Sequence, residues 1–160
     1  MVKRIFIISF IVLLVDIISK RLVINYMAVR ESISLIDNFF SLTYVRNTGV
    51  AFSLLNGYVW LIVMMTAVVI VMLFKYVKDN VGSNVELVSY GFILGGAIGN
   101  LIDRVVYGYV VDFLDFNIFG YNAPIFNLAD CFIVIGVILL IVFSGRKNGD
   151  DDEFNSGKES

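Results

Sequence analysis

Apolar residues fall into four long blocks along this chain. The first runs from about Ile5 to Val23, behind Lys3 and Arg4. The second runs from about Tyr58 to Tyr76, with Tyr58 and Trp60 at one end and Lys75 and Lys78 at the other. The third spans about Leu87 to Val106. The fourth spans about Ile125 to Phe143, follows Pro124 and stops at Ser144, Gly145, Arg146 and Lys147. A helix crosses a bilayer in roughly 17 to 25 residues, so the blocks predict four transmembrane helices. The basic start of the first block resembles a signal peptide, but no small-x-small cleavage site follows it. Four spans put both termini on one side. Lys3, Arg4, Lys75, Lys78, Arg146 and Lys147 lie there, against Arg21, Arg30, Arg46, Lys20 and Arg104 on the other side, a weak bias of six to five. With Lys20 and Arg104 as intramembrane partners of acids it becomes six to three, which favours cytoplasmic termini.

The connections differ in length. Between helices 1 and 2, about residues 27–57, "FSLTYV" alternates and is followed by the turn signal "RNTG". This predicts short strands. Phe39, Phe40 and Phe52 make the segment too apolar for a solvated loop, so it is expected to lie on the membrane surface or over the bundle. The second long connection, about residues 107–124, is aromatic and carries Asp112 and Asp115. It reads as an interfacial segment rather than a span. The expected fold is an all-α membrane protein of four transmembrane helices, with a small external β-rich segment between helices 1 and 2. Residues 1–145 form one domain. Residues 146–160 read as a disordered acidic tail.

Composition narrows the chemistry. The chain is 59% hydrophobic and 16% charged, against about 25% charged in soluble domains. It has no histidine, which removes Ser-His and Cys-His nucleophiles, histidine metal sites and imidazole proton shuttles. Cys131 is the single cysteine; it cannot form an internal disulfide and reads as a small hydrophobe. No metal, cofactor or nucleic-acid partner is expected, and the chain is read as a monomer. Any reaction must use carboxylates, amides, hydroxyls, Lys or Arg.

Polar groups inside apolar blocks are therefore informative, because a charge at a helix centre costs about 2.5 to 3.5 kcal/mol on insertion scales. Asp16 and Lys20 stand four apart on one face of helix 1 and can pair, either as a lock between helices or as a brace under a site. Gly91, Gly95 and Gly99 form a smooth stripe for close helix packing. Asn100, Asp103 and Arg104 share a face near the outer end of helix 3. There Asp103 can pair with Arg104 or Arg46. Asp112, in "VVDF", and Asp130, in "FNLAD", fall at the outer membrane boundary without a sequence-local cation. Asn127 shares the face of Asp130 and can bond it without neutralising it. If the two carboxylates meet, one holds a proton and the other does not. That arrangement hydrolyses peptide bonds with activated water. The alternative is two separately satisfied aspartates.

Five blocks in order carry a family resemblance: "DIISK" from Asp16, "NTGVAF" from Asn47, "GGAIGNLIDR" from Gly95, "VVDF" from Val110 and "FNLAD" from Phe126. Over residues 3–145 the chain resembles the bacterial lipoprotein signal peptidase (signal peptidase II) family. Ile17 departs from it, standing where many members have glutamine, and the acidic tail is no part of the pattern. The resemblance implies an aspartyl endopeptidase of the plasma membrane, inhibited by globomycin, with Asp112 and Asp130 catalytic. It implies diacylglyceryl-modified prolipoproteins as substrates, cut before the lipidated cysteine near the outer leaflet, with membrane lipid as a partner. It also implies four transmembrane helices, a small external β-cradle and a lid-like external element. Asn47 and Asn100 are candidates for holding substrate backbone, with Gly49 allowing close approach. Asp16, Lys20, Asp103, Arg104 and Asn127 are candidates for site support, Arg104 through Asp103.

Two other readings use the same residues. A small transporter could use Asp16 at mid-depth, but transport sites lie near the midplane, whereas Asp103, Asp112, Asp115 and Asp130 cluster toward one face. A non-catalytic assembly subunit would explain the glycine stripe but not Asn127 and Asp130 inside a span.

Overall fold

A computed structural model describes residues 2–49 and 54–144. The expected tail and part of "NTGVAF", including Phe52, lie outside the described residues. Four helices are present: α1 (Val2–Tyr26), α2 (Val59–Asn80), α3 (Asn84–Tyr107) and α4 (Leu128–Ser144). Four strands accompany them: β1 (Ser32–Ile36), β2 (Phe40–Asn47), β3 (Val110–Ile118) and β4 (Tyr121–Asn122). The strands form one antiparallel sheet in the order β1-β2-β3-β4.

The sheet corrects one sequence expectation. It draws on both long connections, not only on the one between α1 and α2. Residues 107–124 supply β3, which pairs with β2 through Val45 and Asp112, Arg46 and Val111, and Asn47 and Val110. The strand was hidden because Asp112 and Asp115 are three apart, a helix-like spacing that masks the period of two.

Chain direction places the sheet at one end of the bundle. The C-termini of α1 and α3 and the N-termini of α2 and α4 all meet it, while the short α2–α3 turn lies at the other end. There Ile5, Val77, Val81, Leu87 and Leu94 pack together. A capping box starts α3: Glu86 N–H donates to Ser83 Oγ, and Ser83 N–H donates to the Glu86 carboxylate, each at 3.1 Å. The "SNVE" signal thus begins α3 three residues before the expected Leu87. At its far end Gly108, with φ +77°, donates its N–H to Arg104 O at 3.1 Å. This left-handed turn ends α3 and sends the chain back as β3.

Glycines set the helix spacing. A Cβ on Gly95 would lie 2.6 Å from Ser9 O of α1, and one on Gly96 would lie 2.5 Å from Ala129 O of α4. The helices pack at backbone distance there, as the expected stripe required. Outward faces are apolar. Phe6, Phe10, Leu14 and Ile18 of α1, and Trp60, Met64, Val68 and Met72 of α2, are all exposed. Such surfaces suit a lipid surround. α2 and α3 are each long and apolar enough to cross a membrane. α4 is shorter, and α1 carries Asp16, Lys20 and Arg21 within its apolar run.

Candidate active site

The site is built where α3, β3 and the start of α4 meet. α4 begins at Leu128 rather than Ile125, so Asn127 is its cap and Asp130 lies in its first turn. Asp130 N–H donates to Asn127 Oδ1 at 3.0 Å, and Asn127 N–H donates to Asp130 Oδ2 at 3.3 Å. This is the reciprocal bonding seen at Ser83 and Glu86, with Asn and Asp in their places. The substitution has a consequence. A serine cap has one hydroxyl, whereas Asn127 still has its Nδ2, which donates to Asp112 Oδ1 at 2.7 Å and to Asn100 Oδ1 at 3.2 Å. Asn127 is wholly buried.

Asp112 and Asp130 therefore converge on one asparagine. Each carboxylate has a second amide partner as well. Asn47 Nδ2 donates to Asp112 Oδ2 at 2.9 Å, and Asn100 Nδ2 donates to Asp130 Oδ1 at 2.8 Å. Among the described residues no Lys or Arg is in ion-pair contact with either. Burial, reinforced by the nearby charge of Asp130, pushes the Asp112 carboxyl up to about 7, against the bonds from Asn47 and Asn127. Near neutrality the Asp112 carboxyl is thus poised between acid and base.

The other expected residues form the support. Asn47 and Asn100, the candidates for substrate backbone, line the cavity and also bond within the site. Asn47 Oδ1 accepts Gly49 N–H at 2.9 Å, and Asn100 Oδ1 accepts Lys20 Nζ at 2.9 Å. Both side chains orient the carboxylates. Lys20 also contacts Asp16 Oδ2 at 2.8 Å, a charge contact rather than an aligned hydrogen bond, and Asp103 Oδ2 at 3.0 Å. Asp103 therefore pairs with Lys20, not with Arg104 or Arg46 as expected. Helix geometry explains this: the tight α1–α3 approach brings Lys20 beside Asp103, while Arg104 turns to carbonyl groups. Its NH2 donates to Gly49 O at 2.8 Å and its NH1 to Asn100 O at 3.2 Å. Arg104 thus braces the α1–α2 connection directly at Gly49, while Asp103 holds Val111 N–H at 3.2 Å, next to Asp112. Asp16 Oδ1 accepts Ala129 N–H at 3.1 Å, tying α1 to the first turn of α4.

Asp112 and Asp130 open on a cavity of about 990 Å³. Asn47, Asn100 and Arg104 line its polar part. Thr66, Ala97, Ile133 and Val134 continue it as a mostly apolar wall along α2, α3 and α4. Such a shape can hold an extended apolar chain with one polar bond beside the carboxylates. Cys131 also lines it and is half-buried.

Comparison with known proteins agrees over nearly the whole chain. The family model for signal peptidase (SPase) II matches residues 8–145. The lipoprotein signal peptidase of Halothermothrix orenii is 48% identical over 139 residues, 87% of this chain and 93% of that relative. That of Alteromonas mediterranea is 42% identical over 158 residues, 96% of this chain and 86% of that relative. A solved bacterial membrane enzyme superimposes with a TM-score of 0.84 at 35% identity, covering 91% of this chain and 90% of the other. A second gives 0.78 at 36% identity, covering 86% and 90%.

Proposed function

The chain belongs to the signal peptidase II family, and from that premise we propose that it removes signal peptides from prolipoproteins by an aspartyl mechanism. The observation that carries this reading is the pair of Asp112 and Asp130, bridged by Asn127 at the polar end of an apolar cavity. Asp112 is buried and Asp130 half-buried, and among the described residues neither has a cation in ion-pair contact. Such carboxylates share a proton, and the pair titrates as a unit.

The steps follow from that shared proton. Asp130, ionised, takes a proton from water as the water oxygen attacks the scissile carbonyl carbon. Asp112 gives its proton to the carbonyl oxygen. The resulting diol collapses: its C–N bond breaks, the leaving nitrogen takes the proton from Asp130, and the diol returns a proton to Asp112. Water and the peptide bond are consumed, and the pair is restored.

The substrate is a preprotein whose lipobox cysteine carries diacylglycerol, cut just before that cysteine. All four helices span the bacterial plasma membrane in this reading, with cytoplasmic termini and the sheet outside. Residues 1–145 act as one unit. The lipid tails hold the scissile bond at the outer leaflet, level with the ends of α3 and α4. The apolar cavity wall receives the signal peptide.

The test uses purified protein in detergent, with matched lipidated and unlipidated preproteins. Signal peptide release is expected from the lipidated form and much more slowly from the other. Equal rates would refute the lipid anchoring. Activity lost to EDTA and restored by zinc would refute hydrolysis by the carboxylates alone.

A further inference from the structure

The two aspartates have matching hydrogen-bond counts, yet their donors are not equivalent. An amide side chain can be turned either way, and what fixes it is the chemistry of its neighbours. Asn100 lies between Lys20 and Asp130. An ammonium only donates, and a carboxylate only accepts. One orientation of Asn100 therefore satisfies both, with Oδ1 toward Lys20 and Nδ2 toward Asp130. Lys20 is 2% exposed and sits on α1, whereas Asn100 is on α3 and Asp130 on α4. Among the described residues Asn47, the matching donor to Asp112, is fixed by the neutral N–H of Gly49. Behind Asp130 the amide is polarised by a cation; behind Asp112 it is not. A charge-backed donor strengthens the bond it feeds.

We propose that Lys20 is a positioning residue for the reaction: by fixing and polarising the Asn100 amide, it makes Asp130 the proton-accepting member of the pair and leaves the proton on Asp112. This rests on the aspartyl reading above and adds the assignment of roles. The charged and titratable groups acting on Asp130 are Lys20 from α1, Arg104 from α3, Asp112 from β3 and Cys131 of its own helix, with Asp16 and Asp103 in contact with Lys20 behind them. Of the two cations among them, Lys20 is the one held on the side-chain amide that donates to the Asp130 carboxylate. Without Lys20, the neutral Asn127 Nδ2–H still holds Asn100 Oδ1, but the amide loses the cation that polarises it, and Asp130 keeps a proton more readily. The acceptor is weakened while the fold stays.

The test separates this role from the ion contacts that Lys20 also makes with Asp16 and Asp103. Asp16→Asn/Asp103→Asn keeps Lys20 on Asn100 and serves as the reference. The triple variant Asp16→Asn/Asp103→Asn/Lys20→Met differs from it only by the loss of the ammonium, with no carboxylate left unpaired by that loss. Relative to the reference, kcat for a lipidated preprotein is expected to fall roughly tenfold to a hundredfold, with KM held within about twofold, and the acid limb of the pH–rate profile to move to higher pH. An unchanged kcat and pH profile in the triple variant would overturn the proposal. Should the triple variant fail to fold, infrared spectroscopy of the wild-type chain decides. The protonated-carboxyl band near neutral pH is expected to vanish in Asp112→Asn and to persist in Asp130→Asn; the reverse would overturn it. Failure of the aspartyl reading itself looks different, because Asp112→Asn and Asp130→Asn would then both keep cleaving.

Discussion

Two pairs of buried carboxylates share one network in this protein, and the fold handles them in opposite ways. Asp16 and Asp103 both contact Lys20, at 2.8 and 3.0 Å. Asp112 and Asp130 both contact Asn127, and among the described residues neither has a cation in ion-pair contact. Burying a charge is costly unless it is paired. At the first pair one ammonium, shared by both carboxylates, offsets part of that cost. At the second the amides orient the oxygens without neutralising them, and in the function proposed above the remaining cost is met by keeping a proton. A pair bridged by a cation fastens helices together. One bridged by amides is, in that proposal, the pair that gives a proton away.

Neutralising either member of each pair tests that contrast most strongly. Asp112→Asn and Asp130→Asn should each lower the rate of signal peptide release by roughly 10⁴-fold or more, because residues acting as a unit are lost together. Asp16→Asn should cost no more than about tenfold, since an asparagine can still accept the Ala129 N–H and Lys20 still reaches Asn100. Its larger effect should be on the unfolding midpoint in detergent. Similar rate losses at all three positions would erase the distinction.

Much of this was legible before any coordinates. The four helices, the glycine stripe and the Asp16–Lys20 pair follow from period, spacing and the cost of polar groups in lipid. The same cost marks Asp112 and Asp130, but their proposed joint role rests on the resemblance to the family. The role of Asn127 was half legible. Its place three residues before Asp130 is plain in the sequence, but the reciprocal cap that "NLAD" encodes starts α4 at Leu128, three residues after the apolar run begins. The partner of Asp103 was hidden, because Lys20 lies 83 residues away in sequence and only the α1–α3 approach joins them. Strand β3 was missed for a similar reason. Its ladder partners are on β2, and its own aspartate spacing imitates a helix. Sequence carried what is local; the sharing of partners between distant residues needed the packing.

Packing offers a milder way to separate the pairs. A Cβ on Gly99 would press directly on Asp16 Oδ2, and one on Gly96 would lie 2.5 Å from the backbone oxygen of Ala129. Gly99→Ala presses on the lysine-bridged pair, whereas Gly96→Ala presses α3 away from the turn that carries Asp130. Both should lose about 1–3 kcal/mol of stability to overpacking. Gly96→Ala should also lose turnover beyond what its stability explains. Rates measured well below the unfolding midpoint of each variant check this. Equal residual activity would mean that the spacing of α3 and α4 does not set the geometry of the site.

The smallest effect is the pH dependence of stability, and its sign is fixed. The Asp112 carboxyl lies at about 7 in the folded protein, against an ordinary value of 3.8. Between those values the folded chain holds a proton that the unfolded chain has released. Stability contributed here is therefore full below about pH 4 and falls as pH rises toward 7, with a slope of at most about 1.4 kcal/mol per pH unit. Asp112→Asn removes that slope. Asparagine also places an N–H against the amides of Asn47 or Asn127, so the absolute stability of the variant mixes two effects, but the pH dependence does not. Unfolding midpoints of the wild type should decline from pH 4 to 7 relative to those of Asp112→Asn. Parallel curves would mean that Asp112 is already ionised throughout this range, and the second pair would then need a cation that the first alone possesses.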